Sequence, residues 1–85
     1  VDGFVELTGE YHSADEMASW NFQIFNPFGA KMYDWQGNII TAQRHDFNFT
    51  ASSSGMYWLR VSHVSRYSKN LVIEIRPSGW SPPGL

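Results

Sequence analysis

The sequence predicts an all-β domain: an antiparallel, jelly-roll-like β-sandwich of about seven or eight short strands. Three observations lead to it. Apolar and polar residues alternate with a period of two through most of the chain, the pattern of strands that bury one face. Turn-forming clusters interrupt the alternation about every 8–12 residues, the spacing of a sandwich or barrel. The only helix candidate, Asp15-Glu16-Met17-Ala18-Ser19, is one turn at most.

Val5, Leu7, Gly9 and Tyr11 alternate with Phe4, Glu6, Thr8 and Glu10 and make a first strand, ended by the polar stretch Ser13-Ala14-Asp15-Glu16. Trp20, Phe22 and Ile24 alternate with Asn21 and Gln23 in a second. Asn26-Pro27-Phe28-Gly29 stops it, because proline holds φ near the turn value and glycine accepts positive φ. A third strand carries Lys31, Tyr33 and Trp35 on one side. Gln36-Gly37-Asn38 then reads as a hairpin turn before Ile39-Ile40-Thr41. Phe47 and Phe49 alternate with Asp46, Asn48 and Thr50, and Ser52-Ser53-Ser54-Gly55 is a turn. Tyr57, Leu59 and Val61 alternate with Met56, Trp58, Arg60 and Ser62. The last strand sets Leu71, Ile73 and Ile75 against Asn70, Val72, Glu74 and Arg76.

The inward set so defined is Val5, Leu7, Trp20, Phe22, Ile24, Phe47, Phe49, Tyr57, Leu59, Val61, Leu71, Ile73 and Ile75. With 42% apolar and 16% aromatic residues, a chain of 85 can build one core without metal or disulfide staples, and it is too short for a second cofactor-binding lobe. The sandwich is expected over residues 1–76. Residues 77–85 hold Pro77, Pro82, Pro83 and two glycines and read as a linker or a strap on the surface, with Trp80 favouring a docked strap.

Charged residues are only 16% of the chain and net charge is −2, so neither a disordered acidic segment nor a basic nucleic-acid binder is indicated. The absence of cysteine removes disulfides and thiolate metal sites together. No run approaches the roughly 20 apolar residues of a membrane span. Val1-Asp2-Gly3 begins in mid-pattern without a signal peptide, so the chain reads as a domain cut from a longer one.

Two stretches carry a family resemblance. Gly9-Glu10-Tyr11-His12-Ser13-Ala14-Asp15 followed by Trp20-Asn21-Phe22-Gln23-Ile24-Phe25-Asn26-Pro27-Phe28-Gly29 resembles the first half of a GOLD (Golgi dynamics) domain. His45-Asp46-Phe47-Asn48-Phe49-Thr50-Ala51, Gly55-Met56-Tyr57-Trp58-Leu59-Arg60-Val61 and Lys69-Asn70-Leu71-Val72-Ile73-Glu74-Ile75 resemble the second. The likeness spans roughly residues 3–76 and is one of order and spacing. Bacterial pre-peptidase C-terminal domains are similar in pattern. The resemblance implies a β-sandwich that binds other proteins, in an exported or membrane-associated parent. The cysteine pair of the transport-receptor branch is missing, Ser62-His63 stands where that family commonly has Asn, and a Pro-rich end replaces its coiled coil.

Side chains able to carry chemistry are scattered. His12, His45 and His63 lack the close spacing of a metal motif, and surface positions at strand ends account for them more simply. Asp15, Glu16 and Asp34 offer the hard oxygens calcium prefers, but in no calcium-loop spacing, so a solvated loop is the simpler reading. Ser52-Ser53-Ser54 lacks the strand-to-helix elbow of a nucleophile, and no glycine-rich loop precedes a helix. No enzyme, cofactor or metal site is expected. Asn48-Phe49-Thr50 is a glycosylation sequon, placing Asn48 on an outer face should the chain pass through a eukaryotic secretory route.

The functional expectation is a non-enzymatic interaction module of an extracytoplasmic protein, with membrane association only through other parts of its parent. If Tyr57, Leu59 and Val61 point inward, Met56, Trp58 and Arg60 point outward, and Val72 and Glu74 share that parity on the last strand. Were the two strands neighbours in one sheet, these five residues would form one patch, rich in the Trp, Met and Arg that interface centres favour. The partner would be another protein or a second copy. The alternative is a carbohydrate-binding module whose exposed aromatics, Trp35 or Trp80, stack on sugar rings.

Overall fold

The computed structural model describes residues 1–77. The chain forms an all-β sandwich of two three-stranded antiparallel sheets. Its six strands are β1 (Asp2–Thr8), β2 (Ser19–Phe25), β3 (Lys31–Asn38), β4 (Arg44–Asn48), β5 (Trp58–His63) and β6 (Asn70–Arg76), with one 3-10 turn, Ser13–Asp15, between the first two. One sheet has the order β4-β1-β6 and the other β3-β2-β5. Every connection except the β2–β3 hairpin therefore crosses from one sheet to the other.

The central strands follow from their alternation. In β1 the residues facing in are Gly3, Val5 and Leu7, and in β2 they are Trp20, Phe22 and Ile24. Together with Ile39 and Phe47 these two rows make the buried core. Phe22 meets Phe47 across the sheets with ring centroids 4.9 Å apart, and Trp20 meets Trp35 edge to face at 5.0 Å, the geometry aromatic quadrupoles prefer. The Trp20 indole N–H donates to the Ala42 carbonyl at 2.8 Å, which lets so large a polar-tipped ring be buried.

The hairpin expected at Gln36-Gly37-Asn38 does not form, because the chain after β3 crosses to β4 in the other sheet. β3 runs through Gly37 to Asn38, and the chain reverses over Asn38–Ala42, where Ala42 N–H donates to the Asn38 carbonyl at 2.9 Å. The Asn38 side-chain carbonyl accepts the Ile40 N–H at 2.8 Å, an Asx turn in place of the expected hairpin turn. Gly37 has a packing reason instead: a Cβ there would stand 2.5 Å from the Trp35 ring, so the indole lies across a bare backbone. Merging the expected third strand with residues 36–38, and turning 39–41 into a loop, brings the count below seven. Ile39, taken for an ordinary strand residue, is fully buried.

A second departure concerns the last strand. Leu71, Ile73 and Ile75 pair with Leu7, Val5 and Gly3 and so face the interior as expected. They are not buried: their exposures are 45%, 41% and 48%. β6 is the edge of its sheet, β5 is the edge of the other, and Leu59 and Val61 on β5 are only half-buried. The opposite side of the sandwich closes through Tyr33, Trp35, His45 and Phe47. The β5–β6 side stays open.

Candidate functional site

The densest cluster of titratable side chains joins the loops at one end. Asp15, at the close of the 3-10 turn, is buried. One carboxylate oxygen accepts the Ser65 hydroxyl at 2.7 Å and the other accepts Lys69 Nζ at 3.0 Å, with both ends of the ion pair sealed from solvent. Lys69 also donates to the Glu10 carbonyl and lies 4.2 Å above the Tyr11 ring. The Ser65 hydrogen bond, with Lys69 behind it and burial opposing, holds the Asp15 carboxyl below its ordinary range. Among the described residues no buried side-chain nitrogen or oxygen lacks a partner, and these bonds tie the two loops together.

A second cluster lies at the closed mouth between β3 and β4. His45 stacks on Trp35 with ring centroids 4.2 Å apart, and Nε2 is hydrogen-bonded to the Tyr33 hydroxyl. Burial pushes the His45 pKa down and the Tyr33 pKa up, so the pair is neutral near pH 7. Trp35, put forward as a sugar platform, is half-buried between Trp20 and His45 and offers no free face. Trp80 lies outside the described residues, as does its expected docking.

The remaining candidates fall into place singly. His12 stacks on Tyr67 at 4.0 Å, and His63 ends β5, so the three histidines stay apart. Asp34 pairs with Lys31 at 2.8 Å. Among the described residues no three metal-ligating side chains gather. The Ser53 carbonyl accepts the Tyr57 hydroxyl at 2.7 Å, pinning the serine turn. Asn48 projects from the outer face of β4 and is exposed. Among the described residues no helix is long and apolar enough to cross a membrane.

The five residues expected to form one patch are divided. Trp58 and Arg60 pair with Phe25 and Gln23 on the outer face of the β3-β2-β5 sheet, whereas Val72 and Glu74 pair with Glu6 and Phe4 on the outer face of the other. The two strands lie in different sheets, so their outward residues face opposite sides of the sandwich. Met56 stays with Trp58: the Gly55 backbone abuts Pro27, where a Cβ would be 2.8 Å from the proline ring, bringing the 52–57 loop against the 26–30 loop. Met56, Phe28 and Trp58 are exposed by 66%, 82% and 56% at this end. Phe28 went unnoticed in the sequence because a turn has no periodicity to give its side chain a face.

Two surfaces thus stand out. One is the open side, where Leu71, Ile73 and Ile75 border a strand edge that no other described strand pairs. The other is the outer face of the β3-β2-β5 sheet, polar along its length with Trp58 and Phe25 at one end. No family model matches the chain, and no curated protein or solved structure matches it.

Proposed function

We propose that this domain is a non-enzymatic protein-interaction module of a larger exported or membrane-associated protein, and that its partner supplies an extended segment that adds to β6 as a further strand. One observation carries the reading: three interior-facing apolar residues on an edge strand are each 41–48% exposed. An edge strand offers a row of backbone donors and acceptors, and proteins usually blunt such edges with bulges, prolines or short strands. β6 is seven residues long, pairs with β1 without a register slip, and meets proline only at Pro77. An added strand with alternating apolar side chains would satisfy that edge and cover Leu71, Ile73 and Ile75 together. The resemblance to GOLD domains supports a protein as the partner and an exported or membrane-associated parent.

A synthetic peptide with the β6 sequence, Asn70–Arg76, is a direct probe because antiparallel self-pairing reproduces the alternation. Fluorescence titration, run well below the melting temperature of both proteins, should show saturable binding that Ile73→Lys abolishes while circular dichroism shows the variant still folded. Concentration-dependent dimers seen by sedimentation and lost in the same variant would support the same edge, with a second copy as partner. Equal behaviour of wild type and Ile73→Lys in both assays would sink the proposal.

A further inference from the structure

The outer face of the β3-β2-β5 sheet is built differently from the open edge. Cross-strand register places Lys31, Phe25 and Trp58 in one row, Asp34, Gln23 and Arg60 in the next, and Gln36, Asn21 and Ser62 in a third. At and beyond the third row lies a hollow of about 160 Å³ walled by Ser19, Asn21, Gln36, Ser62 and His63 together with the apolar Trp20 and Val64. The face therefore runs from an aromatic end to a hollow of mixed polar and apolar lining. The five residues of β5 from Trp58 to Ser62 span roughly 13 Å at strand rise.

Its polar groups are held ready. The Ser62 hydroxyl donates to the Asn21 side-chain carbonyl, and the Gln23 amide reaches Asp34 at 3.5 Å. Lys31 and Asp34 neutralise each other at 2.8 Å. Arg60, midway between Trp58 and the hollow, has no acidic partner among the described residues. The face so carries one unbalanced positive charge in a chain whose net charge is −2.

We propose that this face binds a uronate-bearing oligosaccharide. A sugar ring has an apolar C–H face that packs on an indole, and Trp58 is 56% exposed. Its hydroxyls both donate and accept, which suits the amides and hydroxyls of Asn21, Gln23, Gln36 and Ser62. A carboxylate matches the planar fork of Arg60, for which a neutral glycan has no counterpart. Charge selects acidic over neutral sugars. The flat sheet suits an extended chain, and the hollow takes a ring at its end.

Calorimetric titration with short oligogalacturonides and oligoguluronates, against neutral oligosaccharides from cellulose and xylan, tests this. At least one acidic glycan should bind saturably, weaken with added salt, and lose affinity about tenfold or more in Arg60→Gln and in Trp58→Ala. Both variants should melt as wild type does, and Ile73→Lys should bind the glycan normally, separating this face from the β6 edge. Neutral glycans bound equally well, affinity unchanged in Arg60→Gln, or no saturable binding by any of these glycans would each overturn the proposal.

Discussion

Lys69 and Asp15 meet out of contact with water, so each is tolerable only while the other is present. Removing one partner strands a buried charge, and removing both does not. Lys69→Met should therefore lower the melting temperature by several degrees, and Lys69→Met combined with Asp15→Asn should lower it less; thermal denaturation of the three proteins checks this. The pH dependence follows from the same pair. The folded protein holds Asp15 below its ordinary carboxylate range, so its stabilisation is complete above about pH 4, the unfolded value, and is lost as pH falls through the folded value. His45 is depressed by burial, so the unfolded chain takes up a proton before the folded one does. Stability should be flat between about pH 6.5 and the tyrosine range near pH 10, and decline as pH falls below about 6.5. His45→Gln should flatten that first decline and leave the one below pH 4. None of these partnerships is legible in the sequence: Asp15 and Lys69 are 54 positions apart, and a charge seen alone in a loop reads as solvated.

At the scale of the strand, alternation predicted which residues face inward, and it held in β1, β2 and β6 alike. What it did not predict is how deeply each row is covered. Phe22, on a central strand, is fully buried, and Phe22→Ala should cost roughly 3–5 kcal/mol, enough to unfold so small a domain. Ile73 has the same parity on an edge strand at 41% exposure, and Ile73→Ala should cost only about 1–2 kcal/mol, short of the full-burial range. Urea unfolding of both distinguishes a central from an edge position. Gly37 illustrates the complementary failure. Gln36-Gly37-Asn38 has the composition of a hairpin turn, but the glycine is spent on making room for the Trp35 indole. Gly37→Ala should destabilise by overpacking, about 1–3 kcal/mol, whereas a glycine needed for a turn would lose the hairpin itself.

For the whole molecule, the two sheets carry the outward residues apart. Trp58 and Val72 share a parity along the chain and lie on opposite faces. Trp58→Ala and Val72→Ala should each change stability by less than about 1 kcal/mol and add within about 0.5 kcal/mol in the double variant, as sites without shared contacts do. A coupling well above that would put them in one patch. By itself the sequence determined the sandwich class, the inward rows of the central strands and most turns, because period two, proline, glycine and asparagine act within a few residues of where they stand. Only the tertiary structure decided that β5 and β6 belong to different sheets, that among the described residues the side between them is left open and Arg60 has no acidic partner, and that Asp15 finds Lys69. Those are matters of which distant segments meet, and a local alternation carries no information about its neighbour across the sheet.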